Sequence, residues 1–319
     1  MWRKHASHIW SATIKYEFKA ETPFKRLDVI LVDYFEETDD VFSRAAVQRL
    51  IKDGHVKVNG KIVKPSRSIA EGDMIIIDLP EKETPNIKPQ NIPIKIVYED
   101  EYLAVINKDA GMVVHPAPGN KDGTLVNAMF YHCGGKLSSI GGETRSGVVH
   151  RLDKDTSGLI VMAKDNAAHL DLARQFSNKS ARRCYITVVN GVPVEKSKRL
   201  ETFFGRHKTD RKKFTSKLSS GKRAVTNYEL ISTNNEISVL RVLLETGRTH
   251  QIRVHMLEND LPVTGDNVYC KGKDKTGLMK RQALHAMSLT FIHPVFKTMI
   301  TFISPLPGDM KELIKKAGL

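Results

Sequence analysis

A charged, hydroxyl-rich segment, His150-Arg151-Leu152-Asp153-Lys154-Asp155-Thr156-Ser157-Gly158, opens directly into the apolar run Leu159-Ile160-Val161-Met162-Ala163. The run is short and bounded by Gly158 and the Lys164-Asp165-Asn166 turn, which predicts a buried strand. The polar segment is then a loop held against the edge of a core element. Asp153 lies in that loop, with Arg151 and Lys154 close by in sequence. Such a carboxylate is either half of a structural ion pair or a reactive group kept ionised by its neighbours. Spacing alone leaves both readings open.

With 319 residues the chain can bury a substantial core and is expected to hold two domains. No apolar stretch approaches the roughly 20 residues that span a bilayer. Met1 to Phe24 lacks the apolar centre and small-residue cleavage site of a secretory signal, and Glu17 and Glu21 speak against a transit peptide. A cytoplasmic protein is expected. Cys133, Cys184 and Cys270 are odd in number and far apart, without a CxxC, so neither a disulfide framework nor a metal site is expected. The formal net charge of +14 favours a polyanion, through counterion release that is indifferent to sequence. With no long basic amphipathic helix to lie on a membrane surface, nucleic acid is the expected partner.

Residues 24–80 read as a small unit of their own, after an extension over 1–23. Leu27, Ile30, Leu31 and Tyr34 mark one face of a first helix. Val47, Leu50 and Ile51 mark a second, with Ser43 as its N-cap and Gly54 at its end. Asn59-Gly60 between two short β-prone runs signals a hairpin, and Gly72 to Ile77 supplies another strand. Arg26, Arg44, Arg49, Lys52 and Lys57 cluster around these elements. Two helices and a small sheet, basic on one side, resemble the S4-like RNA-binding domain. A proline-spaced polar stretch over 81–93 reads as a linker.

Residues 94–319 are richer in strands than helices. Ile94–Tyr98, Leu103–Ile106, Cys184–Val189, Ile237–Leu244, a strand through Met287, Leu289 and Phe291, and Met299–Ile303 read as strands. Thr124–Cys133, Asn166–Phe176, a helix capped by Thr249 and a closing one through Met310 and Leu313 read as helices. The pattern predicts an α+β fold with a mostly antiparallel mixed sheet. The basic stretch Glu195 to Arg223 is expected to contain a mobile, RNA-facing excursion.

No phosphate-cradling GxxxxGK[ST], dinucleotide-binding GxGxxG or GxSxG elbow is present. Two charged segments remain, His150 to Asp153 and Glu245-Thr246-Gly247-Arg248-Thr249-His250-Gln251-Ile252-Arg253-Val254-His255. The second crosses from a central strand into a helix, where Arg248 and Arg253 can be aimed at an anion or at a carboxylate. A fold-stabilising Arg–Asp bridge explains the same residues.

Together the segments resemble the RluA family of pseudouridine synthases over residues 94–305. The resemblance rests on Ile106-Asn107-Lys108 with Gly111-Met112-Val113-Val114-His115-Pro116, on the segment around Asp153, on Thr246 to His255, and on Gln282-Ala283-Leu284-His285-Ala286, in family order. It implies an enzyme that isomerises uridine in RNA without a cofactor. Asp153 is then the nucleophile, Arg253 the group that holds it, and Tyr185 the ring that stacks on the base and takes the C5 proton. Arg151 fills the space of the flipped uridine, Leu284 closes the base pocket, and Arg248 and His150 lie on the substrate side. His115 and His150 look structural. An S4-like domain placed first resembles the branch acting on large-subunit ribosomal RNA. Asp109, Cys184 and Thr264 depart from the family pattern, away from the expected nucleophile. Another class of function, a non-catalytic ribosome-binding or assembly factor, needs no set such as Asp153, Tyr185 and Arg253. A glycosidic hydrolase needs paired carboxylates, and Asp155 is the only near partner.

Overall fold

The computed structural model describes residues 14–20, 25–36, 42, 44–79, 87–117, 119–140, 145–210, 213–270 and 277–319. The chain divides into two compact units, Met1–Asn86 and Ile87–Leu319.

The first unit contains β1 (Ile14–Lys19), α1 (Leu27–Glu36), α2 (Arg44–Lys52), β2 (Val56–Val58), β3 (Lys61–Ile62) and β4 (Met74–Leu79). Its sheet runs β1-β4-β2-β3. Both expected helices and the Asn59-Gly60 hairpin are present, and Asn59 and Gly60 take the positive φ values (50° and 77°) that such a turn needs. The unit is wider than 24–80 at its start. β1, from the stretch read as an extension, pairs with all six residues of β4 and brings Phe18 into the core beside Leu31, Val47, Ile51 and Ile75. Ser43, the expected N-cap, lies outside the described residues.

The basic residues of this unit do not all face solvent freely. Asp28 is fully buried and accepts hydrogen bonds from Arg26 (Nε 2.9 Å, Nη2 3.0 Å), Arg44 (Nε 3.1 Å) and Gln48 (Nε2 2.6 Å). Burial pushes its pKa up, but the bonds from Arg26, Gln48 and Arg44 outweigh that and hold it at about 2. Arg44 and Gln48 thus tie α2 to α1, while Arg26 braces Asp28 locally. Arg49, Lys52 and Lys57 have no ion pair among the described residues.

The second unit carries β5 (Lys95–Glu99), β6 (Leu103–Lys108), α3 (Leu125–His132), β7 (Ser157–Ala163), α4 (Asn166–Ser177), β8 (Arg182–Asn190), β9 (Ser197–Arg206), β10 (Phe214–Leu218), β11 (Lys222–Thr233), β12 (Ile237–Leu244), α5 (Gln251–Glu258), β13 (Leu284–Ile292), β14 (Met299–Ile303) and α6 (Gly308–Lys316). Its sheet runs β10-β9-β11-β12-β8-β13-β7-β6-β5, with β14 paired to β13. Every pairing is antiparallel except β13 with β7. This is the expected α+β fold on a mostly antiparallel mixed sheet.

Strand β7 is buried at every position, and β12 over its first four, because both faces are covered there. Ile160 and Met162 of β7 enter one core, with Leu125, Met129 and Ile252, while Leu159, Val161 and Ala163 enter another, with Leu172 and Phe291. β12 divides likewise, Leu240 and Val242 to one side and Ile237 and Val239 to the other. Each of the larger of these side chains contributes about 1.5–3 kcal/mol by leaving water. That is why so short a run as Leu159–Ala163 can anchor the polar loop before it.

Three expectations are corrected. Most of residues 195–223 form β9, β10 and the start of β11 at one edge of the sheet, which confines any excursion to the connections between these strands. Lysine and arginine alternate there with residues that pack inward, such as Leu200 and Phe204, so charge masked the strand period. Thr249 does not cap α5. His250 stands at the cap in the left-handed region (φ 61°), and the side chain of Gln251 accepts from Arg248 N instead. The stretch read as a linker is shorter at its end, for Ile87 is buried in the second unit and Asn127 Nδ2 donates to Lys88 O.

Candidate active site

Asp153 lies in the turn ahead of β7, where Thr156 N donates to its carbonyl at 3.1 Å. Gly158 makes the next step possible. Its φ is 114°, and a Cβ there would sit 2.3 Å from Ala286 O. The missing side chain lets β13 close on β7 in parallel, with His285 opposite Ser157. Leu284, at the head of β13, is thereby brought to the same end of the sheet as Asp153.

Lys108, at the end of β6, fixes the loop from behind. It is fully buried, and its Nζ donates to Asp109 O (2.8 Å), Met112 O (2.9 Å) and Lys154 O (3.0 Å). Burial lowers its pKa to about 7 against the opposing pull of Asp155 and Asp153. Three carbonyl acceptors call for three N–H donors, so this geometry serves the ammonium form.

Arg253 comes from α5 and is almost wholly buried. Its Nη1 donates to Asp153 Oδ2 at 3.0 Å, while Nε and Nη2 form a two-pronged bridge to Asp266 at 2.6 and 2.9 Å. Burial works against its charge and is outweighed by the bonds to Asp266 and the charge of Asp153, so its pKa is raised. Asp266 also accepts from Val268 N and Tyr269 N, and the Tyr269 ring lies under the guanidinium at 5.1 Å. His250 completes the group, with Nε2 at 4.0 Å from Asp153 Oδ2 and Nδ1 at 2.9 Å from the Tyr269 hydroxyl. Burial lowers the His250 pKa, against the pull of Asp153, and so favours the neutral ring.

A cleft of about 430 Å³, a size that holds one small ligand, opens onto Asp153. Its lining includes Tyr185, Leu284, Arg151, Arg248 and His150, so the seven residues singled out in this unit by the sequence meet at one place. Tyr185, on β8, is 4% exposed, and its pKa is raised mainly by burial, with Arg183 opposing. Arg151 and Arg248 are exposed at the cleft. His150 is held inward: Val161 N donates to its Nε2 at 3.1 Å and its ring stacks on Phe176. Burial lowers its pKa to about 3.

Sequence reasoning missed Asp266, Tyr269, Gln251 and Arg183. Gln251 Nε2 donates to Val225 O and Thr226 Oγ1 while its Oε1 accepts from Thr246 and Arg248, which pins the Thr246–His250 loop to β11. Only its place directly after His250 in the charged segment hinted at this. Among the described residues no cluster of His, Cys, Asp and Glu is arranged to hold a metal ion, and no helix is long and apolar enough to cross a membrane.

A carboxylate held by a guanidinium at the floor of a cleft, facing a buried tyrosine and ringed by exposed arginines, can act as a nucleophile on an anionic substrate. Comparisons with known proteins show what the chain is similar to. A family profile described as RNA pseudouridylate synthase matches residues 102–258, and one described as S4 domain matches residues 41–75. An RNA pseudouridine synthase of Aquifex aeolicus is 42% identical over 306 residues, covering 93% of this chain and 95% of its own. The ribosomal large subunit pseudouridine synthase D of Zymomonas mobilis is 44% identical over 282 residues, covering 86% and 89%. Among solved structures, human RNA pseudouridylate synthase domain containing 1 shares the fold, with a TM-score of 0.55 at 22% identity over 72% of this chain and 96% of its own. The chain belongs to the RNA pseudouridine synthases and carries an S4 domain ahead of the catalytic unit.

Proposed function

We propose that the protein converts uridines of large-subunit ribosomal RNA to pseudouridine, with Asp153 as nucleophile on a base flipped into the cleft. The observation that carries this reading is the Arg253–Asp153 contact at 3.0 Å on the floor of a cleft that also presents Tyr185 and Leu284. A carboxylate can attack the ribose C1′ or the pyrimidine ring and leave again, which suits a reaction that keeps every atom of its substrate. The C1′–N1 bond breaks, the base turns, and a C5–C1′ bond forms as C5 loses its proton and N1 gains one. A stacked base cannot be reached, so it must leave its helix at a cost of about a few kcal/mol. Arg151 then fills the vacated space, and the base lies between Tyr185 and Leu284. Tyr185 takes the C5 proton; burial opposes its ionised form and the charge of Arg183 favours it.

The ribosomal target is supported by what the Zymomonas mobilis relative is named for. The S4 domain offers Arg49, Lys52 and Lys57 to phosphates, with Arg26 and Arg44 half exposed beside them.

Asp153→Asn tests the chemistry. Release of tritium from RNA labelled at uridine C5 should fall below detection while RNA binding persists; substantial turnover removes Asp153 from the role. Mapping pseudouridines in ribosomal RNA from cells with and without the protein tests the target, and an unchanged map of the large-subunit RNA excludes it.

A further inference from the structure

Arg183 lies on β8, two residues before Tyr185 and therefore on the same face of the strand. It lines the cleft, yet it is only 8% exposed. Among the described residues no carboxylate bridges it, and its Nε finds no hydrogen-bond partner. Its guanidinium is braced rather than neutralised. Cζ sits 5.3 Å from the centre of the Phe176 ring, and a Cβ on Gly247 would lie 2.6 Å from Nη1. Gly247 is thus the residue that leaves room for it. The other arginines of the cleft can be handled by water or by a partner: Arg145, Arg151 and Arg248 are exposed, and Arg253 is bridged.

A buried charge without a counterion costs several kcal/mol. A fold that keeps one at the wall of its substrate cleft has a place ready for an incoming anion. We propose that Arg183 receives a phosphodiester of the RNA, next to the nucleotide whose base stacks on Tyr185. This rests on the reading of the cleft as the uridine site. The planar fork of arginine fits two non-bridging phosphate oxygens. Two residues along a strand span about 7 Å, comparable to the reach from a base to its own backbone phosphate. Gly247, within the charged segment that runs from Glu245 through Arg253, then acts by shape alone.

The test uses the full chain and an oligouridylate strand, in which every nucleotide is a uridine. Affinity is measured over a range of salt concentrations for wild type, Arg183→Met, Arg183→Lys and Gly247→Ala, with thermal melting of each free protein. Arg183→Met should bind about tenfold more weakly and lose about 0.7 from the slope of log affinity against log salt, the share of one phosphate on a single strand. Arg183→Lys should keep that slope. Gly247→Ala should weaken binding in the wild type and add nothing in Arg183→Met. Melting of Arg183→Met without RNA should stay level or rise, since an uncompensated charge has gone. An unchanged slope, or a protein that melts lower or fails to fold, overturns the proposal and makes Arg183 a structural residue. Failure of the uridine-site reading shows separately, as tritium release by Asp153→Asn.

Discussion

Arg253 turns its two-pronged face to Asp266, at 2.6 and 2.9 Å, and meets Asp153 with its remaining nitrogen at 3.0 Å. The strongest bridge at the site is therefore behind the expected nucleophile. Asp266 is itself fixed by two backbone N–H groups, so the guanidinium is aimed before Asp153 contributes anything. Asp153 keeps its second oxygen clear of Arg253, as an attacking group requires.

Asp266→Asn should consequently slow isomerisation by about a hundredfold, the order expected when a reacting group drifts by about 1 Å. It should also destabilise the second unit by about 3 kcal/mol, because a buried bridge is broken on one side. Arg253→Lys keeps the charge but cannot reach both carboxylates in one plane, and should recover only part of the activity lost in Arg253→Met. Single-turnover rates and melting curves on the same variants check this. A full rate in Asp266→Asn shows that Asp153 is held by other means.

His250 adds a second approach to Asp153 from an unusual backbone position. The Tyr269 hydroxyl accepts from Phe214 N at 2.9 Å and has its own proton to give to His250 Nδ1. The Asp153 carboxylate can only accept, which favours the ring proton on Nε2, 4.0 Å from it. The left-handed backbone at His250 costs about 1 kcal/mol or more for any residue with a Cβ. His250→Gly should thus be more stable than His250→Ala by about 1 kcal/mol, while both lose the ring and the same fraction of activity. Equal stability of the two variants would show that the backbone carries no strain.

The parts legible in the sequence are those whose signal is local. The run Leu159–Ala163, the Asn59-Gly60 turn and the start of α3 at Thr124 each follow from a few adjacent residues, and the structure has all three. Asp153, Tyr185 and Leu284 could be gathered only through a family resemblance, since Tyr185 and Leu284 read as ordinary core and are in fact buried. Asp266 was hidden for another reason. Its partner is thirteen residues away across a helix, and neither hydropathy nor charge pattern joins them. Arg183 did not stand out because its lack of a carboxylate partner among the described residues is visible only in three dimensions. The strands β9 and β10 were obscured by lysines and arginines on their outer face.

Lys108 holds the 109–112 loop to the loop of Asp153 through three carbonyl oxygens. Lys108→Met keeps the length of the side chain and strands the carbonyls of Asp109 and Met112, while Lys154 O keeps its bond from Gly111 N at 2.9 Å. Each buried polar group left unpaired costs about 1–3 kcal/mol, partly offset by removal of a desolvated charge. A net loss of about 3 kcal/mol is expected in denaturant unfolding of the second unit. Activity should fall as well, because Lys154 neighbours Asp153. A variant with unaltered stability would mean that the loops are held without Lys108.

The first unit has its own acid-sensitive joint at Asp28. The folded pKa of about 2 lies below the ordinary value of 3.8, so the folded state binds the proton less readily than the unfolded one. The sign follows: the stabilisation is fully present above about pH 4 and is lost as pH falls through about 2. At 1.36 kcal/mol per pKa unit the contribution is about 2 kcal/mol. Asp28→Asn removes the titrating group and leaves Arg26 and Arg44 without their carboxylate. Wild type should exceed Asp28→Asn in stability near neutrality, and the gap should narrow by about 2 kcal/mol between pH 5 and pH 2. Other carboxylates titrate in this range too, which is why the difference between the two proteins, and not the melting of either alone, is the quantity to follow. A gap that stays constant with pH would show that the bonds from Arg26, Arg44 and Gln48 do not depend on the charge of Asp28.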